Sequence, residues 1–124
     1  MESINIEQTK YTPGILMDID KGLIEIKGDS LPENTREFYS KFMETVEEYL
    51  QNPQETTTVN LELTYFNSSS SKLFYDFFDI LDDANDSCNI VVNWLYDEEN
   101  ESMEEAGEDY KDDFDDLEFN MVVI

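Results

Sequence analysis

Leu61-Glu62-Leu63-Thr64-Tyr65-Phe66-Asn67-Ser68-Ser69-Ser70-Ser71-Lys72-Leu73-Phe74 changes its period halfway along. Val59, Leu61, Leu63 and Tyr65 alternate with Asn60, Glu62 and Thr64, the pattern of a strand with one buried face. From Leu73 the apolar residues Leu73, Phe74, Phe77, Ile80, Leu81 and Ala84 recur every three or four positions, as on the inner stripe of a helix. The four serines stand at the switch. A strand end feeding a helix start leaves backbone N–H groups unpaired and carries a partial positive charge. Such a place suits a phosphate, whether a ligand's or one added to a serine hydroxyl. The simpler role for a serine here is the helix N-cap, but a cap needs one serine and this turn has four. The pattern predicts a helix over about 70–85.

Upstream, Ile4 and Ile6 alternate and allow a short edge strand. Ile15, Met17 and Ile19 alternate with Leu16 and Asp18, Asp20-Lys21-Gly22 has turn chemistry, and Leu23 to Lys27 resumes the extended pattern, so the pair reads as a β-hairpin. Gly28-Asp29-Ser30-Leu31-Pro32-Glu33-Asn34 closes that hairpin and opens a helix. Ser30 with Glu33 has capping-box spacing, Asn34 with Glu37 offers a second cap, and Pro32 fits a first turn. Phe38, Phe42, Met43, Val46, Tyr49 and Leu50 then share one side, the spacing of a core stripe rather than a docking stripe, until Asn52-Pro53 ends the helix.

Downstream, Asn89 to Tyr96 reads as a strand apolar on both faces and therefore central. Phe74, Tyr75, Phe77 and Phe78 wrap too far round their helix to meet one sheet, so some of them cover a neighbouring helix or form an exposed patch. From 97 to 116 the chain turns acidic, with Lys111 the one basic residue, and thin periodicity through Met103, Ala106 and Tyr110 predicts an acidic loop and then a helix over about 102–112. Residues 117–124 close as a strand. Strands separated by helices imply parallel neighbours joined by right-handed crossovers. The expected fold is a single α/β domain over 1–124, with an N-terminal hairpin, a mixed sheet of four or five strands and about three helices mainly on one face.

The charge bounds the function. Thirty-one acids against 7 bases give a formal net charge of -24. Such a surface disfavours nucleic acid and anionic membranes and favours basic protein surfaces. Lone Cys88 permits no internal disulfide, and neither a signal peptide nor an apolar run of spanning length is present, which predicts a cytoplasmic protein. Without histidine, Ser-His-Asp and Cys-His chemistry are excluded. No P-loop, dinucleotide fingerprint or zinc spacing occurs. The acidic stretch raises calcium, but it lacks the alternating oxygen ligands around a central glycine. The expectation is a non-enzyme without cofactor or metal. A metal-dependent or carboxylate enzyme, or an acidic decoy of a nucleic-acid-binding protein, is the alternative.

The order of elements, with serines where the middle strand enters its helix, resembles the STAS domain of anti-sigma factor antagonists. More closely, the chain resembles the SiaC family of regulatory phosphoproteins. The resemblance is carried by Tyr11-Thr12-Pro13, by Gly28 to Asn34 with Phe38-Tyr39, by Tyr65 to Lys72, and by Glu104 to Glu108 with its Gly107. It implies a phosphorylation switch. A partner Ser/Thr kinase and a PP2C-like phosphatase act on the residue after the asparagine of the middle turn, and the unphosphorylated form binds and activates a diguanylate cyclase in c-di-GMP signalling. That position, commonly Thr in the family, is Ser68 here, with Ser69 the runner-up. Asn67, Ser68, Ser69, Ser70 and Lys72 form the expected partner-binding surface.

Overall fold

The computed structural model describes residues 2–124. Its frame begins with the expected hairpin. Strands β2 (Gly14–Asp18) and β3 (Leu23–Ser30) pair antiparallel with Asp18 opposite Leu23. From β3 onward strands and helices alternate: α1 (Thr35–Tyr49), β4 (Thr56–Phe66), α2 (Ser68–Ala84), β5 (Asn89–Tyr96), α3 (Glu101–Asp113) and β6 (Glu118–Val123). Strands β3, β4, β5 and β6 are parallel neighbours in chain order. The sheet therefore has six strands, one more than the upper sequence-based count. The addition is β1 (Ile4–Ile6), which pairs antiparallel with β2. It is the short edge strand that the alternation of Ile4 and Ile6 allowed, and its pairing with β2 adds it to the sheet.

Each crossover steps one strand in the same direction, so right-handed connections place all three helices on one face. The inward residues of the strands form the core with them: Ile15, Met17, Ile24, Ile26, Val59, Leu61, Ile90, Val92 and Trp94 are each about 1 % exposed or less. The opposite face has no covering layer. Strand β5 is interior, as expected, but its apolar residues are not equally covered. Ile90, Val92, Trp94 and Tyr96 are buried beneath the helices, whereas Val91, Asn93 and Leu95 stay half-buried on the open face.

The helix layer is aromatic. Phe42 on α1 meets Phe77 on α2 at 5.4 Å between ring centroids, and Phe78 on α2 meets Tyr110 on α3 at 4.9 Å. Such pairs each add about 0.5–1.5 kcal/mol beyond area burial. Phe74, Phe77 and Phe78 are all buried, which resolves the excess of aromatics on this helix. Tyr75 stays 45 % exposed, leaning on Phe114 at 4.9 Å. Gly107 is where α3 touches the sheet. A Cβ there would lie 2.5 Å from Trp94 Cδ1 and 2.8 Å from Met121 Cε, so only glycine allows this approach. The Trp94 indole N–H donates to the Met103 carbonyl at 2.8 Å, fixing the same contact.

All three helices take asparagine as N-cap. Asn34, Asn67 and Asn100 accept from the N–H groups of Glu37, Ser70 and Met103. The capping box expected at Ser30 and Glu33 does not form, and Pro32 lies ahead of the helix. Likewise the cap of α2 is Asn67, and the serines occupy its first turn. Ser30 instead ends β3, fully buried, after a register shift between Gly28 (φ 119°) and Asp29. Ser30 shares the inward face of Ile24, Ile26 and Gly28, and the extra residue at the shift is Thr64 of β4. There the Tyr39 hydroxyl lies 2.6 Å from Ser30 Oγ, Ser30 Oγ lies 2.8 Å from Ser70 Oγ, and Ser70 Oγ donates to the Ser30 carbonyl at 3.1 Å. Each hydroxyl has one proton, so the last bond sets the direction of the chain: Tyr39 to Ser30, Ser30 to Ser70, Ser70 to the carbonyl. The Asn67 N–H donates to the same carbonyl at 3.1 Å. Sheet, α1 and the start of α2 are thus joined through buried, satisfied polar groups.

Two predictions follow from this packing. Gly107→Ala gains about 1 kcal/mol of helix propensity but forces overpacking against Trp94 at about 1–3 kcal/mol. Urea denaturation is expected to show a net loss, and unchanged stability would contradict the close approach. Burial holds the Tyr39 phenol well above its ordinary pKa, against a smaller opposing effect of the Ser30 hydrogen bond. The unfolded chain therefore releases that proton first, and the stability present below about pH 10 is lost as pH rises. Tyr39→Phe should decline less steeply with pH above that value, and an equal slope would count against the buried phenol.

Candidate functional site

Four consecutive residues at about 100° per step cover the whole circumference of a helix. Ser68 to Ser71 begin α2 and therefore look in four directions. Ser70 points at the sheet and is fully buried in the hydroxyl chain. Ser69 points at α1, where its Oγ lies 2.7 Å from Thr35 Oγ1 and donates to Asn67 Oδ1 at 3.1 Å. Ser71 points at α3. Its Oγ lies 3.1 Å from the Tyr110 hydroxyl, which donates to the Ser71 carbonyl at 2.9 Å. Ser68 is exposed, and its hydroxyl makes no hydrogen bond to the described residues.

Asn67 enters the helix in an extended conformation and commits its side-chain oxygen to the Ser70 N–H at 2.9 Å. The first two N–H groups of the helix, those of Ser68 and Ser69, remain for another acceptor. Grooves run along both sides of this turn. One of about 510 Å³ lies between α2 and α3, lined by Ser68, Ser71, Lys72, Tyr75, Asp109 and Asp113 among others. The second, of about 400 Å³, lies between α1 and α2 and includes Thr35, Arg36, Met43, Ser69, Lys72 and Leu73. Lys72 borders both. Burial raises the pKa of the Tyr110 phenol on the α3 side, keeping it a neutral donor beside Ser71. A group added to Ser68 thus meets one ammonium, Lys72, and several carboxylates.

Of the five residues expected at a partner surface, Ser68, Ser69 and Lys72 are exposed and Asn67 is half-exposed. Ser70 is not available there, because its side chain is inside the fold. Of the residues that fix the turn, Tyr110 lies on the thin periodicity of α3, whereas Thr35 and Tyr39 were not singled out by periodicity and Ser30 was read as a cap. One signal was present for Ser70. Extending the stripe Leu81, Phe77, Phe74 back by one more helical step lands on Ser70 and turns it inward. The stretches quoted for the family resemblance also converge here. Ser30 and Tyr39 hold Ser70, and the Leu31 N–H reaches the Tyr11 carbonyl at 2.7 Å. This is the carboxyl end of the parallel strands, the end where open α/β sheets present their sites.

Known proteins share this fold and sequence. The family model described as SiaC family regulatory phosphoprotein matches residues 6–124. An uncharacterized protein of Pseudomonas aeruginosa strain UCBPP-PA14 is 34% identical over 114 residues, spanning 91% of this chain and 90% of that one. The crystal structure of apo-SiaC from Pseudomonas aeruginosa superposes with a TM-score of 0.86 at 31% identity, over 99% of this chain and 98% of the other. A further match, at TM-score 0.85 and 31% identity over 97% of each chain, comes from the crystal structure of the diguanylate cyclase SiaD in complex with its activator SiaC from the same organism. With its fold and nearly its whole length matched, the chain belongs to the SiaC family of regulatory phosphoproteins.

Proposed function

We propose that this protein is a cytoplasmic, phosphorylation-gated binding module. A Ser/Thr kinase modifies Ser68, a PP2C-like phosphatase reverses it, and the unmodified form binds and activates a diguanylate cyclase. The observation that carries the reading is the sorting of the four serines: Ser68 is the one that is exposed with its hydroxyl uncommitted among the described residues. The cyclase enters from the likeness to SiaC bound to SiaD.

The physics of gating follows from the surroundings. Phosphorylation adds about -1.5 to -2 charges and three strong acceptors. The N–H groups of Ser68 and Ser69 and the helix dipole favour that charge by roughly 0.3–1 kcal/mol, and Lys72 lies one turn on. Opposing them are Asp109 and Asp113 across the groove. The fold therefore survives, because Asn67, Ser70 and Tyr39 are untouched by a change at Ser68. The surface does not stay the same. A partner packed over the turn would have to desolvate a doubly charged group in a field that is already negative, and binding fails.

Kinase treatment followed by phosphopeptide mapping should find the phosphate on Ser68. Ser68→Ala should resist the kinase and still bind the cyclase, and Ser68→Asp should bind at least about fivefold more weakly, given like-charge and desolvation penalties of about 1 kcal/mol or more. Modification confined to Ser40 or Ser102 would remove the turn as the switch. Modification at Ser69 would shift the acceptor by one residue and break its bond to Thr35. Ser70→Ala separates structure from switching. It should lower stability by about 1–3 kcal/mol, since it unpairs buried groups, yet remain a kinase substrate while folded. Loss of phosphorylation in folded Ser70→Ala with Ser68 intact would place the acceptor inside the fold and refute the proposal.

A further inference from the structure

On the open face of the sheet, three asparagines stand in register on adjacent parallel strands: Asn60, Asn93 and Asn120. Asn120 Nδ2 donates to Asn93 Oδ1 at 3.1 Å, Asn93 Nδ2 to Asn60 Oδ1 at 2.9 Å, and Asn60 Nδ2 to Glu25 Oε2 at 3.2 Å. An ionised carboxylate only accepts, so Glu25 compels Asn60 to present its amide nitrogen and thereby orients each amide after it. The ladder is polar in the directional sense. Its last acceptor, Asn120 Oδ1, faces outward at the edge of β6 and takes no hydrogen bond from the described residues.

That edge is itself unpaired, since β6 is last in the sheet. The Ile124 N–H donates to the Tyr96 carbonyl, so the even-numbered residues bond inward to β5, and Phe119, Met121 and Val123 direct their N–H and C=O groups outward. The opposite edge, β1, is only three residues long. β6 has six residues, and apart from Glu118 at its start it carries no edge protection, neither Lys, Pro nor a bulge. Val123 and Ile124, 53 % and 57 % exposed, are the large exposed aliphatics among the described residues.

We propose that the outer edge of β6 accepts an extended, basic segment of a partner protein as a seventh strand. Charge selects the occupant. Helix α3 and the turn after it, 101–116, set nine carboxylates against Lys111, so the face of an added strand turned toward α3 meets negative potential. Its other face meets Asn120 Oδ1 and needs a donor such as Thr, Ser, Asn or Lys. A second copy of this chain satisfies neither condition. It would bring another charge of -24 and another outward carbonyl. Main-chain pairing supplies the affinity, and the alternating lysine and donor faces supply the specificity.

The test uses the full chain and two blocked octapeptides, one alternating lysine with threonine, the other alternating glutamate with threonine. At low salt the lysine peptide should slow exchange of the outward Met121 and Val123 amides by at least about tenfold, and the glutamate peptide should not. Val123→Pro removes an outward N–H without touching a bond to β5. It should abolish the protection of Met121 while leaving the thermal midpoint within experimental error. Asn120→Leu keeps the backbone and removes the acceptor, and it should weaken binding by about fivefold, which keeps the proposal testable if the proline variant unfolds. Failure of the lysine peptide to bind, full protection of Met121 in folded Val123→Pro, or a footprint spread over the acidic helix would each overturn the proposal. So would dimers of the free chain that Val123→Pro dissolves, which would give the edge to a second copy.

Discussion

Three right-handed crossovers that step in one direction constrain the rest of this molecule. They put every helix on one face and every helix N-terminus at the carboxyl end of the sheet. They leave the other face with polar residues among half-buried apolar ones, since no helix among the described residues covers it. The aromatic layer follows from the same constraint. Three helices side by side on four parallel strands must fill the space between helices as well as beneath them, and Phe42, Phe77, Phe78 and Tyr110 do so.

Within that frame the serine turn is a sorting device. The helical repeat gives each serine its own neighbour, and those neighbours come from three separate elements: β3 and α1 for Ser70, α1 for Ser69, α3 for Ser71. A run that looks redundant in one dimension has one free hydroxyl in three. The anchoring of Ser70 also makes the turn a rigid platform, so charge arriving at Ser68 changes the surface and leaves the interior as it was.

How much of this was legible varied with range along the chain. The hairpin at Asp20 to Gly22, the alternation through Val59 to Leu63 and the stripe through Phe74 and Leu81 are local signals, and each became the element it predicted. Strand β1 was legible as a short edge strand from Ile4 and Ile6, though the count of four or five strands left it out. The capping choice at Ser30 went the other way, because Ser30 continues the inward alternation of Ile24, Ile26 and Gly28 and finds hydroxyl partners nine and forty residues distant. The alternation is local, but the hydroxyls that satisfy the buried serine are not. The position of Ser68 came from pattern and family resemblance together. Its freedom from hydrogen bonds is a property of the assembled fold, since it depends on what Ser69, Ser70 and Ser71 have found to hold.

The contact between Gly107 and Trp94 has an optical consequence. Trp94 is the chain's single tryptophan, 1 % exposed, hydrogen-bonded to the backbone of α3. Its ring lies 6.3 Å from Phe66, the residue just before Asn67 at the mouth of the serine turn, and 5.6 Å from Tyr110. Ultraviolet light absorbed by the tyrosines drains into one dry indole wedged between the sheet and its most acidic helix. The molecule carries its own fluorescent gauge, whose colour and brightness report the seating of α3 beside the turn without any attached label.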